Sequence, residues 1–374
     1  MEIKDIKYTA PFFDGSGYAE AARQYVIALH KLGVPLTLES VSFEHARPDL
    51  GPGGVIINSL IDKKIDYNVK IVQLTCEHYP IYRETDVFNI GYSFWETDRI
   101  CDAWVKYINT SIDLCFVPCQ WNADAYKESG VKVPIRKIQQ GIDPSEFENI
   151  KEYNIKGLSE DTYVFYSIFQ WSERKHPLGL IKAYWNAFQD GEDVALVVKT
   201  YKNDFSEEQR QGIRNTIERL KDVMPMPKKT YPKMFFVFDM LSRPEILGLH
   251  KRCDCFALPQ RGEGWGMPHF EAGAIGNTVL TTGMSGNMEF TNKENSYLLD
   301  YTWTPVFGMP WCPWYEGNQL WAEPDILQMI KLMEHIYNNQ EEAANKGKLL
   351  QKNILENFSW KQVATKMLDT IKEI

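Results

Sequence analysis

The amino-acid sequence predicts an α/β protein that contains two doubly wound parallel sheets. The chain has 374 residues, which is more than a single hydrophobic core usually organises. Short apolar runs alternate with amphipathic stretches, and this is the pattern of strands and helices in a parallel sheet. The alternation stops near residue 141 and starts again near residue 164. We therefore expect two domains of the same class.

The first half of the chain supplies the elements of one such sheet. A helix is predicted over 19–32, because Ala22, Val26 and Leu29 then share one face. A second helix is predicted over 121–129. The predicted strands are 6–10, 36–38, 55–57, 70–74, 89–94, 114–117 and 135–139.

The second half repeats the pattern after a linker at Gly141–Ser145. The predicted strands are 164–169, 195–200, 234–240, 255–258 and 278–282. Helices are predicted over 177–188, 207–223, 244–251, from Pro268 onward, and over 326–338, 340–356 and 360–374. Ligands of open parallel sheets bind beyond the carboxyl ends of the strands, so the functional residues should follow strands.

Charge and composition exclude several classes of function. The formal net charge is −9, which makes general binding of DNA or RNA improbable because phosphate contacts dominate such affinity. The chain has no signal-peptide apolar region and no run approaching the roughly 20 residues of a membrane span, so we expect a cytoplasmic protein. Seven cysteines without a double CxxC pattern favour reduced thiols and no metal site.

A glycine-rich turn at 262–266 is the most informative segment. It lies between a predicted strand and a predicted helix, where backbone N–H groups and the helix dipole favour an anion. Glu263 lies in the turn and Glu271 lies in the helix that follows. This combination favours a ligand that contains a nucleotide diphosphate and a sugar.

Several motifs make the chain similar to a known family over most of its length. The strongest is the pair Glu263 and Glu271, eight residues apart, at the two ends of Glu-Gly-Trp-Gly-Met-Pro-His-Phe-Glu and preceded by Gly262. The others are the segments 15–18, 95–97, 117–118, 140–143, 172–177, 254–259, 321–325 and 358–360. With these motifs the chain resembles the retaining, nucleotide-sugar-dependent glycosyltransferases of family 4, the glycosyl transferases group 1.

The resemblance implies a GT-B fold, in which two Rossmann-like domains face a central cleft. Residues 1–142 would form the acceptor-side domain, together with a closing helix over 358–374. Residues 143–357 would form the nucleotide-sugar-binding domain. The implied reaction moves a sugar from a nucleotide diphosphate sugar to an acceptor hydroxyl, with retention and without a metal ion or other cofactor.

The resemblance also assigns roles around the glycine-rich turn. Glu263 would contact the donor sugar as a catalytic residue, and Glu271 would accept hydrogen bonds from the ribose hydroxyls. The backbone N–H groups of Trp265, Gly266 and Met267 would contact the sugar and the phosphates. A purely structural alternative exists for both carboxylates: a solvated turn residue, and a favourable charge near a helix N-terminus.

Fixed positive charge must stabilise the departing diphosphate if no metal does so. Arg174 and Lys175 lie between a strand and a helix, and Lys199 follows the apolar run 195–198, so all three are candidates. Gly15 and Gly17 would form the opposite wall of the donor site. The alternative for the cations is a solvated helix entry. Read alone, the loop at Gly15 and Gly17 is also compatible with a weak dinucleotide-binding motif.

The N-terminal half offers two further catalytic candidates, His78 and Glu96. Each follows a predicted strand, and either could face the reacting sugar. The chain departs from the family where His176 stands in place of a glycine, and where the arginine expected some residues before Lys175 is not obvious, with Gln170 near that place.

The substrates and partners are only partly predictable. The aromatic segment 301–321, with Trp303, Trp311, Trp314, Tyr315 and Trp321, could be an acceptor platform or a set of buried rings that hold a long loop. The acceptor could be a carbohydrate, a lipid-linked glycan, a protein or a small molecule, with nucleic acid disfavoured. The sequence leaves the donor sugar, its base and the oligomeric state open. A nucleotide-sugar epimerase, a phosphorylase and a non-catalytic nucleotide-sugar-binding subunit are the alternative functions.

Overall fold

The computed structural model describes residues 5–43, 50–224 and 230–373, and the chain divides into two compact units. Unit 1 comprises Met1–Pro144 and Leu355–Ile374, and unit 2 comprises Ser145–Ile354. Each unit contains one six-stranded parallel sheet with helices. The structure therefore confirms the predicted α/β class and its two doubly wound sheets.

Unit 1 contains the first sheet. Its strands are β1 (Ile6–Ala10), β2 (Leu36–Ser40), β3 (Val69–Gln73), β4 (Phe88–Tyr92), β5 (Leu114–Val117) and β6 (Ile135–Lys137). Its helices are α1 (Gly17–Lys31), α2 (Gly51–Leu60), α3 (Tyr79–Tyr82), α4 (Asp102–Ser111) and α5 (Gln120–Glu128). The strand order is β2-β1-β3-β4-β5-β6, and all pairs are parallel.

Unit 2 contains the second sheet. Its strands are β7 (Tyr163–Gln170), β8 (Val194–Tyr201), β9 (Met234–Val237), β10 (Cys255–Leu258), β11 (Thr278–Thr282) and β12 (Tyr297–Leu299). An antiparallel pair follows, β13 (Tyr301–Pro305) with β14 (Leu320–Pro324). The helices of this part of the chain are α6 (Pro177–Ala187), α7 (Glu207–Asp222), α8 (Arg243–Arg252), α9 (Met267–Ile275), α10 (Ile326–Asn338) and α11 (Gln340–Asn357).

The last helix, α12 (Trp360–Lys372), packs on unit 1. Ser359 caps it, and the Ile142 N–H donates to the carbonyl of Phe358 at 2.8 Å. Trp360, Met367 and other residues of its apolar face belong to the same core as strands β1 to β5. The core of unit 1 is therefore completed by the last segment of the chain.

One predicted strand is wrong: residues 55–57 lie inside helix α2. Valine and isoleucine favour strands, and the glycines around them disfavour a helix, so local preference pointed the wrong way. The positions that α2 buries are Gly54, Ile57 and Leu60, whereas Val55 is exposed. This spacing of three is helical, and packing of that face against α1 decides the structure.

The aromatic segment forms a hairpin that the sequence did not predict. We call residues 301–324, with β13 and β14 as its arms, the aromatic hairpin. Trp303 pairs with Ala322 across the two strands. Trp321 is fully buried, while Trp303 and Trp311 remain about half exposed, at 45% and 58%. The alternative of buried rings that hold a long loop therefore fits Trp321, but it does not fit Trp303 or Trp311.

Two general features of the chain follow from the described residues. Six of the seven cysteines are buried, and none of the seven forms a disulfide. Of the helices in residues 5–43, 50–224 and 230–373, none has the length and apolar character needed to cross a membrane.

Candidate active site

The strand order of the second sheet reverses beside β7. From β7 the sheet grows outward through β8 and β9, and the chain then returns to the other side of β7 with β10, β11 and β12. Ligands of open parallel sheets bind beyond the carboxyl ends of the strands at such a reversal. The segments that follow β7 and β10 meet there, since the Arg261 N–H donates to the carbonyl of Arg174 at 2.7 Å. We call residues 172–176, which follow β7, the cation loop.

Three of the predicted residues meet at this point. Lys175 Nζ donates to Oε1 of Glu263. Arg174 Nη1 lies 3.4 Å from Oε2 of the same carboxylate and donates to the carbonyl of Gly262 at 2.8 Å. Lys175 and Glu263 are 9% and 6% exposed, so the pair is largely out of solvent. The structural alternative of a solvated turn and helix entry is therefore wrong for these two residues.

The charge of Glu263 follows from its neighbours. Burial alone would raise the pKa of its carboxyl, but the positive charges of Lys175 and Arg174 outweigh burial and lower it to about 2. Glu263 is therefore an anion at neutral pH. It holds two cations that are also available to an anionic ligand.

Two residues that follow β11, Ser285 and Gly286, hold the glycine-rich turn in place. The Glu263 N–H donates to Ser285 Oγ at 2.9 Å, and the Gly286 N–H donates to the Glu263 carbonyl at 3.0 Å. A Cβ at Gly286 would lie 2.3 Å from the carbonyl oxygen of Gly264, so only glycine allows this approach. The backbone around Glu263 is thus rigidly placed by its supports.

Helix α9 begins directly after the turn. Gly266 takes the left-handed conformation, with φ of 90°, and α9 starts at Met267, one residue before the predicted start at Pro268. The N–H groups of a first helical turn have no acceptor within the helix, and the dipole is positive at that end. The indole of Trp265 packs against Phe270 and Phe290, so this residue can offer its backbone rather than its side chain to a ligand.

Glu271 forms a second buried ion cluster, one turn into α9. Oε1 accepts a hydrogen bond from Arg243 Nη1, and His250 Nε2 lies 3.4 Å from Oε2. Arg243 also pairs with Glu146 at 2.9 Å. Burial would raise the pKa of Glu271, but the charge of Arg243 dominates and lowers it to about 2. Glu271 is therefore ionised and accepts hydrogen bonds only.

Lys199 lies near the carboxyl end of β8, in register with Ile168 of β7. Lys199 is 6% exposed, and its Nζ lies 5.0 Å from the ring centre of Phe205 and 5.5 Å from that of Tyr201. Among the described residues its Nζ has no ion pair or hydrogen bond. Burial lowers its pKa to about 8. The charges of Asp239, which raises the pKa, and of Arg210, which lowers it, act on this largely buried lysine less strongly than burial does.

Unit 1 holds the predicted glycine loop. Gly15 and Gly17 follow β1, are exposed, and lead into α1, which begins at Gly17. Buried Arg23 of α1 donates to the carbonyls of Phe12 and Asp14 at 2.8 and 3.0 Å. The loop conformation is thereby held from within the unit.

The other two candidates of unit 1 also follow strands. His78 ends a 3₁₀ turn at Cys76–His78 after β3, and its Nδ1 lies 3.2 Å from Thr75 Oγ1. Its ring meets that of Phe43 edge-on at 5.1 Å. Glu96 follows β4 and is partly buried. Both lie beyond the carboxyl ends of these strands, and their catalytic roles stay predictions.

Several residues of the site were missed from sequence. Arg243, His250 and Ser285 hold the two glutamates, and Arg261 and Glu323 hold the cation loop. Arg243 had a usable signal, because it is the first residue of a helix that follows a strand, close to the position that Lys175 takes before α6. In the parts of the chain that the structure describes, no group of three or more His, Cys, Asp or Glu could hold a metal ion.

Comparisons with known proteins bear on this arrangement. Residues 149–302 match the family model of glycosyl transferases group 1. A viral protein, uncharacterized protein 356 of Sulfolobus islandicus rod-shaped virus 1, is 22% identical over 378 residues, covering 99% of each chain. The matched family region contains β7 to β12 and therefore both glutamates and the cation loop.

Solved structures share the fold of the whole chain. HepE of Anabaena, solved with UDP and glucose, is 13% identical, with a TM-score of 0.67 over 99% of this chain and 100% of that one. Sucrose-phosphate synthase from Thermosynechococcus elongatus is 14% identical, with a TM-score of 0.69 over 99% of this chain and 98% of that one. These likenesses show that the chain has a GT-B fold, and the family match shows that its residues 149–302 are similar to the glycosyl transferases group 1 and supports a glycosyltransferase.

Proposed function

We propose that the protein is a retaining glycosyltransferase that moves a sugar from a nucleotide diphosphate sugar to an acceptor hydroxyl without a metal ion. The observation that carries this proposal is the buried cluster of Arg174, Lys175 and Glu263 at the reversal of the second sheet. It places two fixed cations and one carboxylate next to the start of α9. Anionic leaving groups are stabilised by such preorganised charge.

The proposed chemistry needs no strong side-chain base. The bond between the anomeric carbon and the diphosphate oxygen breaks, and a bond from that carbon to the acceptor oxygen forms. The acceptor proton passes to the departing phosphate oxygen. Arg174, Lys175 and the first N–H groups of α9 would stabilise the negative charge that grows on the diphosphate.

The remaining donor contacts follow from the same region. Glu263 would accept a hydrogen bond from the donor sugar, and the backbone of Trp265, Gly266 and Met267 would contact the sugar and phosphates. Glu271 would accept hydrogen bonds from the ribose hydroxyls, because a carboxylate in contact with Arg243 and His250 retains lone pairs for further donors. Unit 2 is thereby proposed as the nucleotide-sugar-binding domain.

Unit 1 is proposed as the acceptor-side domain. His78 and Glu96 follow β3 and β4, where side chains are exposed to a ligand beyond the sheet. Either residue would contact the reacting sugar or the acceptor.

A donor panel tests the proposal directly. The protein is incubated with nucleotide diphosphate sugars, uridine nucleotides first because HepE of Anabaena was solved with UDP-glucose. We expect release of the nucleotide diphosphate, an undiminished rate in excess chelator, and a product anomer of the same configuration as the donor by NMR. Loss of activity in chelator would contradict metal independence, and an inverted product would contradict retention.

The same panel separates the alternative functions. An epimerase would convert the donor sugar without an acceptor and without releasing nucleotide. A phosphorylase of the usual kind would carry pyridoxal phosphate, which absorbs visibly. A non-catalytic subunit would bind one donor tightly without turnover.

Lys199 gives the proposed donor site a pH dependence. Its pKa is lowered to about 8 by burial, so the ammonium is largely present at pH 7 and largely lost at pH 9. If Lys199 contacts the diphosphate, affinity for the nucleotide diphosphate falls as pH rises through 8. Calorimetry at pH 7 and pH 9 should show this fall in the unchanged protein and a much smaller one in Lys199→Met. An equal loss of affinity between pH 7 and pH 9 in both proteins would show that Lys199 does not contact the diphosphate.

A further inference from the structure

The Arg261 side chain is buried and contacts several segments next to the cation loop. It is 3% exposed, and it grips the Glu323 carboxylate of β14 with two nitrogens, Nε at 2.6 Å and Nη2 at 3.1 Å. Its Nη1 donates to the backbone carbonyl of Glu173 in the cation loop. One guanidinium therefore joins three segments: the glycine-rich turn, the cation loop and the aromatic hairpin.

The aromatic rings of the hairpin complete this contact. The guanidinium carbon lies 4.7 Å from the ring centre of Phe307 and 5.6 Å from that of Trp321. Stacking on rings and bidentate pairing are both properties of arginine that lysine does not reproduce. The Ala322 N–H also donates to the Arg261 carbonyl at 3.0 Å. Side chain and backbone of the same residue thus hold the hairpin.

His176 links the cation loop to the hairpin a second time. It has φ of 51°, a left-handed conformation in which glycine is the unstrained residue, and glycine is what the resembled family has at this position. Its Nε2 lies 3.3 Å from Oε1 of Glu323. The absent side chain of Gly179 makes room for the imidazole, since a Cβ there would lie 2.5 Å from Nε2. His176 therefore has the backbone conformation typical of glycine, and its imidazole adds a contact with Glu323 that glycine could not make.

Gly308 gives a third link. It lies in the loop between β13 and β14, and a Cβ there would lie 2.3 Å from Cγ of Glu173. The hairpin loop therefore lies directly against the first residue of the 3₁₀ turn Glu173–Lys175. Three separate contacts now connect the aromatic hairpin to the two residues that flank Arg174 and Lys175.

We propose that Arg261 is a positioning residue that clamps the cation loop onto the aromatic hairpin, so that Arg174 and Lys175 stand ready for the donor diphosphate. The proposal rests on the proposed function of that loop. Arg261 acts through the loop and makes no donor contact itself. The aromatic hairpin then contributes to the proposed donor site. It supplies Glu323, which contacts Arg261 and His176, and it supplies the rings on which Arg261 stacks.

Removal of the clamp should loosen the cation loop and weaken phosphate binding selectively. In Arg261→Met we expect hydrogen exchange of the Lys175 and His176 amides, which close the 3₁₀ turn at 3.1 Å, to quicken by about tenfold or more. The Kd for a nucleotide diphosphate should rise about tenfold, with the Kd for the nucleoside unchanged, which separates the loop from the ribose site. Arg261→Lys should recover only part of the loss.

Two further variants keep the experiment decisive. Glu323→Gln weakens the same clamp and retains Arg261, so it serves if Arg261→Met unfolds. Arg219→Met, at an exposed position of α7, is the matched control and should change neither measurement. Equal loss of nucleoside and nucleotide diphosphate binding with a lowered Tm would show a merely structural role and overturn the proposal. Unchanged exchange over 172–176 would also overturn it.

Failure of the proposed function would look different. In that case the unchanged protein binds no nucleotide diphosphate at all, while the exchange of the cation-loop amides still reports whether Arg261 clamps the loop. Quickened exchange together with normal nucleotide diphosphate binding would show a clamp without a positioning role.

Discussion

Glu263→Gln is expected to lower kcat by about 10²- to 10³-fold, while nucleotide diphosphate binds as tightly as before or more tightly. In the unchanged protein the Glu263 carboxylate forms ion pairs with Lys175 and Arg174, so a diphosphate that binds there must share both cations with it. Glutamine is nearly the same size but carries no charge, so the cations are left to the ligand. The proposed contact with the donor sugar, which the transfer step needs, is weakened at the same time.

Steady-state kinetics and calorimetry on the same preparation measure the two effects. Glu294→Gln is a suitable control, because that carboxylate is exposed and lies away from the cation loop. An unchanged kcat would assign Glu263 a structural role only. Clearly weaker nucleotide diphosphate binding would contradict the view that the carboxylate competes for the cations.

The same variant should also unfold more easily in the absence of ligand. Breaking a buried ion pair from one side typically costs about 3–5 kcal/mol, because the remaining charge stays buried without compensation. Added nucleotide diphosphate supplies the missing negative charge. Its stabilising effect in a thermal shift should therefore be larger for Glu263→Gln than for the unchanged protein.

Lys175→Ala is expected to weaken nucleotide diphosphate binding by about 10- to 150-fold and nucleoside binding very little. The range corresponds to one hydrogen bond to a charged group. Lys175 contacts Glu263 in the glycine-rich turn before α9, whereas the proposed ribose contact is Glu271, in a separate cluster with Arg243. The two ends of the nucleotide would thus contact distinct ion clusters, and a variant can disrupt one cluster without the other.

Glu271→Gln provides the complementary result. It should weaken nucleoside and nucleotide diphosphate binding by similar factors, because both contain the ribose. Lys182→Ala, at an exposed position of α6, controls for the loss of a lysine near the loop. Equal losses of nucleoside and diphosphate binding in Lys175→Ala would contradict its proposed phosphate role.

The fold and the centre of the site were predictable because they depend on local patterns. Alternation of apolar runs and amphipathic stretches identified both sheets, and the glycines around Glu263 marked the turn between a strand and a helix. The partners of the two glutamates were not predictable. Arg243 and Ser285 reach them from segments about 20 to 30 residues away in sequence, and only the order of the strands brings these segments together.

The departures from the family pattern have a structural explanation in one case. His176 keeps the left-handed backbone that glycine would provide, and it uses its ring to contact Glu323. Sequence reasoning treats such a substitution as a loss of similarity, because it sees the residue type and not the conformation. Helix α2 shows the reverse error, since β-branched residues there concealed a helical spacing that packing against α1 makes effective.

The attachment of α12 to unit 1 has a consequence for biosynthesis. A ribosome releases the first 144 residues long before Trp360, Met367 and Ile371, which fill the same core. The emerging amino-terminal segment must therefore wait, with apolar surface uncovered, while all of the second unit is translated. Nascent chains cut short before residue 360 would carry a permanent gap in that core and become targets for chaperones and proteases, even though every strand of the first sheet is present.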